Sequence, residues 1–101
     1  MHALLKHRRV NADIGEAAFW YQERDPDVAV RFVDEARVAM VAAAKNPLWY
    51  SILFEDVRRV RLCHFPHSAF FVIREDAILI LAVLHGARDL EKLVLTRKSN
   101  G

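Results

Sequence analysis

Two neighbouring stretches of the sequence are apolar at every position: Phe70-Phe71-Val72-Ile73 and Ile78-Leu79-Ile80-Leu81. Short apolar runs rich in aromatic and β-branched residues, bounded by turn signals, read as strands buried on both faces. Glu75-Asp76 suits a hairpin turn, so Ser68 to Arg74 and Ala77 to His85 are expected to pair antiparallel, with Gly86 ending the second strand. Such a pair cannot leave one face to water, as a half-polar antiparallel sheet can. The rest of the chain must therefore supply two layers of cover, or leave one of them to something else.

One layer is legible upstream. Asp25-Pro26 is a helix start, with Asp25 able to cap and Pro26 at the first helical position, where no N–H is needed. From Asp27 to Lys45 the residues Val28, Phe32, Ala36, Met40 and Ala43 follow the 3.6-residue period, and Arg31, Asp34, Glu35 and Arg37 take most of the remaining circumference. Asn46-Pro47 stops the helix. Its alanines (Ala36, Ala39, Ala42, Ala43, Ala44) permit close approach to a neighbour. Before it, Asn11 is a plausible cap with Asp13 in the first turn, where the helix dipole favours an anion. Ile14, Ala17, Ala18 and Tyr21 give a buried stripe that ends near Arg24. Two antiparallel helices joined by a tight turn follow.

The remaining elements complete an α+β domain spanning residues 1–101. Ala3 to Val10 reads as a first strand with imperfect alternation, and Leu48 to Asp56 as a loop carrying Trp49, Tyr50 and Phe54. Val57 to Cys63 reads as a strand with Arg59 and Arg61 on one face and Arg58, Val60 and Leu62 on the other. The expected order is strand, helical hairpin, three antiparallel strands, and a tail from Glu91 that is a short helix or an arm. The hairpin covers one sheet face. The other is left to the aromatic loop and tail, a second copy, or a foreign segment, of which a partner is favoured.

Composition sets bounds on function. With 53% hydrophobic and 28% charged residues over 101 positions, the chain is an ordinary folded domain with no room for a second core. A net charge of +2 is too small to argue for nucleic acid, although Arg58, Arg59, Arg61 and Arg74 lie close together. They suit phosphate, acidic protein, or a merely solvated strand face. The lone Cys63 excludes a disulfide framework and fits a reducing cytoplasm. Met1 to Val10 lacks the apolar core of a secretion signal, and the run Ala77 to Leu84 is far too short for a membrane span. The three glycines are scattered, so no phosphate-binding loop is expected, and the histidines lack metal-site spacing; no cofactor or metal is anticipated. Cys63 next to His64 is not expected to form a nucleophile–base pair, because adjacent strand residues point to opposite faces. Glu16 and Glu23 read as solvent-facing helix charges.

In its order of elements and in its words, the sequence resembles the RelE/ParE toxin superfamily. Those words are Asp13-Ile14-Gly15-Glu16-Ala17-Ala18-Phe19-Trp20-Tyr21, Phe32 with Asp34-Glu35, Asn46-Pro47, Val57-Arg58-Arg59-Val60, Phe65-Pro66-His67, and Leu81-Ala82-Val83-Leu84-His85-Gly86-Ala87-Arg88-Asp89. The resemblance covers roughly residues 3 to 92. It implies a toxin of a type II toxin–antitoxin pair, held as a hetero-oligomer by a cognate antitoxin whose extended region wraps it.

The superfamily has two branches: RelE-like members cut messenger RNA on the ribosome, and ParE-like members poison DNA gyrase. Metal-free RNA cleavage needs groups that activate the 2′-hydroxyl, stabilise the phosphorane and protonate the leaving oxygen. By resemblance, Arg59, Arg61 and Arg88 stand where basic nuclease residues would be, and His85 (or His64 or His67) offers an acid–base group. Two positions depart from the nuclease pattern: Ser68 replaces an expected arginine, and only Leu93, Val94 and Leu95 lie where a tyrosine should follow Arg88. The reading is therefore ParE-like, with gyrase as target and no catalysis. The alternatives are the ribosome-dependent nuclease and an inactive homologue that only binds antitoxin. The antitoxin is expected to dock on the helical hairpin near Phe19, Trp20 and Phe32, and on a sheet edge able to accept a strand.

Overall fold

A computed structural model of the chain describes residues 1–86 and 90–100. The elements are β1 (Ala3–Lys6), α1 (Val10–Gln22), α2 (Pro26–Lys45), a 3-10 turn (Pro47–Trp49), β2 (Ile52–Phe54), β3 (Val57–Arg61), β4 (His67–Arg74), β5 (Ala77–His85) and α3 (Leu90–Asn100). The strands form one sheet in the order β1-β5-β4-β3-β2, with β1 parallel to β5 and the rest antiparallel.

The helical hairpin is as expected. The Asp25 side chain accepts from the Asp27 N–H at 3.0 Å, and Pro26 opens α2. Phe32, Ala36, Ala39, Met40, Ala43 and Ala44 are buried and pack on Val60, Ala69, Phe71, Ile78, Ile80 and Val83. This is one layer of cover, made of an alanine-rich helix lying close to the sheet.

The second layer is α3. Val94, with Leu90 and Leu95, packs on Val57, Phe70, Val72, Leu81 and Ala82 on the opposite face. The tail is thus a helix, and it covers the face for which a foreign segment was favoured. Sequence reading leaned towards a partner there because residues 90–100 have little apolar periodicity; what holds α3 is mostly polar. Arg97 reaches Asp13 of α1 with both guanidinium nitrogens, one of them at 2.9 Å, and both side chains are almost wholly buried. The His7 ring donates through Nε2 to Asn100 at 3.0 Å, since its Nδ1 accepts from the Arg9 N–H. Lys98 pairs with Asp56 at 2.6 Å.

Four boundaries differ from expectation, each for a local reason. The first strand stops at Lys6, not Val10, because β5 bulges between its pairings of Phe70 with Ala82 and Phe71 with Ile80. A bulge adds one residue to one strand and changes the alternation beyond it. Past this point β5 no longer accepts β1: the Val83 N–H donates to Asp13 at 3.0 Å, and Arg97 donates to the Leu81 carbonyl at 3.2 Å. Asn11 is not the cap of α1. The helix starts at the fully buried Val10, Arg9 stands at the cap position without a side-chain bond, and Asn11 accepts from Lys6. The aromatic loop holds an extra strand, β2, so the sheet has five strands. Its turn to β3 is Glu55-Asp56, the same dipeptide as the β4–β5 turn, and Glu55 and Glu75 both adopt positive φ (49° and 52°). That repetition was a readable signal. Finally β3 ends at Arg61, which leaves Leu62, Cys63 and His64 in the connection to β4.

Candidate functional site

On α1 the inward stripe runs through Val10, Asp13, Ala17 and Tyr21, spaced three or four residues apart, the first two buried and the last two half-buried. Phe19 and Trp20 fall outside that stripe and stand 66% and 51% exposed. Neither of these adjacent aromatics is packed inside. The Arg24 guanidinium lies over the Trp20 ring, 3.5 Å from its centroid, and donates to the Trp20 carbonyl at 2.8 Å. Phe32, the third expected contact residue, has no exposed surface. It sits between Tyr21, Phe65 and His67 with ring centroids 4.7–5.4 Å away, so it supports the surface from beneath.

Trp20 and Tyr21 form one wall of a cleft of about 590 Å³ between α1 and the far ends of β4 and β5, closed by Pro66, His67, Val83 and His85. The bulge in β5 creates this arrangement. Leu81 and Ala82 both pack on the α3 side, after which Val83 returns to the hairpin side and His85 follows it. His85 meets His67 edge to face at 5.3 Å and donates through Nδ1 to the Gly86 carbonyl at 3.2 Å. His67 is buried, and its Nδ1 has no partner among the described residues. Burial pushes its pKa below the ordinary histidine value, and the neighbouring His85 charge pushes the same way.

Arg59 and Arg61 lie elsewhere. Arg59 pairs with Phe70 and Arg61 with Ser68, which pairs with Leu84; Phe70 and Leu84 pack on the α3 side. Arg59 therefore lies on the α3 face and His85 on the hairpin face, while Arg61, beyond the last β2 pairing, borders clefts on both sides of the sheet edge. Both arginines border a shallow cleft with Trp49, Ile52 and Leu53. There Leu48, Trp49, Ile52 and Leu53 are exposed around β2, which ends the sheet. Arg88 lies outside the described residues. Of the acid–base set drawn from the resemblance, His67 and His85 come together, and Arg59 and Arg61 come together, with Arg59 on the face opposite the two histidines. Among the described residues no three histidine, cysteine or acidic side chains converge as metal ligands do, and no helix is long and apolar enough to cross a membrane.

Residues 4–90 match the family model described as the ParE toxin of the type II toxin-antitoxin system, parDE. The chain belongs to the ParE toxin family. A solved structure titled "Chromosomal ParDE TA system from P. aeruginosa" superposes on it with a TM-score of 0.71, over 86% of this chain and 98% of that one. At 23% identity that likeness is one of fold. No curated protein matches the chain. The ParE match spans both helices and all five strands, so the resemblance seen in the sequence words extends through the connected fold.

The Asp13–Arg97 pair went unseen in the sequence, where Asp13 read as a first-turn dipole residue. The available signal was its place on the buried stripe of α1, since a carboxylate there needs a cation. Which cation it would be is not written locally, because Arg97 lies 84 residues away.

Proposed function

We propose that this ParE-family chain arrests growth by binding DNA gyrase, without catalysing a reaction, and that a cognate antitoxin neutralises it in the cytoplasm. The observation that carries the non-catalytic reading is the placement of His85 and Arg59 on opposite faces of the sheet. Phosphoryl transfer needs base, acid and cation around one phosphorus. Arg59 lies across the sheet from His85, and that separation weighs against a nuclease site built on the two together. Membership of the ParE family supports the gyrase target.

For the antitoxin, the exposed Phe19 and Trp20 with the adjacent cleft offer aromatic anchors next to a concave surface, the arrangement that concentrates binding energy in few residues. The β2 edge, with Ile52 and Leu53 exposed, offers unpaired backbone to an added strand. The antitoxin reading is supported also by the structural neighbour, a chromosomal ParDE TA system.

The test is a DNA-damage reporter in a bacterial host, read after inducing the chain alone. Gyrase poisoning gives growth arrest with the reporter lit, and arrest persists in Arg61→Ala, His85→Ala and Arg88→Ala. Arrest with a dark reporter, abolished by those substitutions, would replace this reading with RNA cleavage. No arrest at all would leave an inactive homologue that only binds antitoxin.

A further inference from the structure

Strand β2 ends the sheet, so the outer backbone of Ile52–Phe54 has no strand beside it. Large apolar side chains crowd this edge. Leu48 and Trp49 are 74% and 78% exposed, and Ile52 and Leu53 about half exposed. None of the four belongs to either core cluster, so packing of the fold does not account for them. Apolar residues scattered singly over a surface are ordinary, but a contiguous group marks a contact.

Trp49, Tyr50, Ile52 and Leu53 line a shallow groove of about 280 Å³ together with Arg59 and Arg61, and no carboxylate lines it. Among the described residues neither arginine makes an ion pair. Glu55 and Asp56, the carboxylates of the β2–β3 turn, are taken up by Lys98, and Asp56 also by Arg74. On its other side Arg61 borders a groove whose remaining charges are Arg31, Asp34 and Glu35. Even with those counted, and Arg58 beside Arg59 on β3, four arginines stand against two carboxylates. The edge is therefore apolar and positive together. Its groove admits the side chains of an extended segment but not a helix, which is about 10–12 Å across.

The possible occupants differ in how much of this surface they satisfy. A second copy added through its own β2 would bring Arg59 and Arg61 of both chains to one seam, where like charges oppose each other. Single-stranded RNA would use the arginines and the Trp49 ring, but would leave Leu48, Ile52, Leu53 and the free backbone of β2 without partners. An extended acidic peptide segment uses all of it. Its main chain pairs with β2, its apolar side chains cover the exposed ones, and its carboxylates meet the guanidinium groups.

We propose that the β2 edge, with Trp49, Arg59 and Arg61, is the docking surface for an acidic extended segment of the antitoxin, which adds to the sheet beside β2. The proposal rests on the antitoxin reading above and gives that partner a second contact, apart from the Trp20 surface on α1. Two contacts on one partner reinforce each other, so losing either weakens binding without abolishing it.

The experiment measures the affinity of the purified full-length chain for the purified antitoxin at low and at high salt. Arg59→Gln combined with Arg61→Gln is expected to weaken binding at least about tenfold at low salt, the gap narrowing as salt rises. Trp49→Ala weakens it about tenfold at both. Arg8→Gln combined with Arg9→Gln removes the same charge from exposed positions beside the opposite edge strand, β1, and leaves affinity nearly unchanged. In the wild-type complex, amide exchange at residues 51–54 slows. Wild-type affinity in the Arg59/Arg61 variant, or unchanged exchange at residues 51–54, would overturn the proposal while leaving the antitoxin reading intact. Tighter binding by that variant would also overturn it, because the segment would then be basic. So would an oligouridylate that binds through Arg59 and Arg61 while the antitoxin does not need them, or dimers of the chain alone that Trp49→Ala dissolves. An antitoxin that fails to bind the wild-type chain would remove the reading on which the proposal rests.

Discussion

The two faces of the sheet are covered in opposite ways. On one, α2 lays Phe32 and a row of alanines against Val60, Phe71 and Ile80, and the contact is almost entirely apolar. On the other, α3 contributes Val94 with its neighbours Leu90 and Leu95, and is otherwise tied down by Arg97, Lys98 and Asn100. Apolar burial scales with area and is indifferent to partner identity, whereas an ion pair depends on one atom meeting another. The hairpin face is therefore tolerant and cooperative with the core. The α3 face depends on a few polar contacts, and its stability should be more local and more sensitive to single substitutions and to salt.

The comparison can be broken at four points of decreasing effect. Phe32→Ala empties the centre of the aromatic group beneath the hairpin and is expected to cost about 4 kcal/mol in urea unfolding. Asp13→Ala leaves Arg97 buried without its anion and Val83 without its acceptor, and should cost about 3 kcal/mol. The two losses differ in character: hydrogen exchange should show α3 opening before the sheet in the second variant, and the whole domain weakening together in the first.

A third test uses pH. The folded-state pKa of His67 lies below its unfolded value near 6.5, so the unfolded chain binds the proton more readily. The stabilising contribution of the neutral ring is complete above pH 6.5 and is lost as pH falls through the folded value. Urea midpoints should fall between pH 7.5 and pH 5.5 in the wild type and change less in His67→Phe. Glu35 and Asp56 also have lowered values. Burial opposes the shift in Glu35, where bonds from His64 prevail, while the Lys98 hydrogen bond is the main cause in Asp56. Their contributions are lost only below the ordinary carboxylate range, so they do not confuse the histidine window. The smallest effect is Lys98→Ala, an exposed pair on the α3 face whose loss should be detectable at low salt and vanish at high salt.

The same contrast decides what could be read from the sequence. Asp25-Pro26, Asn46-Pro47 and the 3.6-residue spacing from Val28 to Ala43 are local signals, and the hairpin and α2 stand where they indicate. The β4–β5 pair followed from two apolar runs and a Glu-Asp turn. Strand β2 was missed although its turn repeats that dipeptide, because Leu48 to Phe54 has no alternation. The cover by α3 was hidden because its main bond joins Asp13 to Arg97 at opposite ends of the chain. For the candidate site, the helical spacing of Phe32 already placed it on the core stripe, which conflicts with its use as a contact residue, whereas nothing local showed that Phe19 and Trp20 would both be exposed. The position of His85 was beyond pattern reading: a single bulge at Leu81–Ala82 decides which face it joins. That bulge keeps it across the sheet from Arg59, and so bears most directly on the choice between nuclease and gyrase binder.

The most direct measurement puts both targets in front of the purified chain. Supercoiling by DNA gyrase and integrity of messenger RNA on translating ribosomes are followed in parallel, with and without the antitoxin. Gyrase binding predicts that the chain blocks supercoiling, that antitoxin restores it, and that messenger RNA stays whole. Cleaved messenger RNA with supercoiling untouched would contradict it, and would mean that Arg59 and the histidines on opposite faces of this sheet do not define where the chemistry happens.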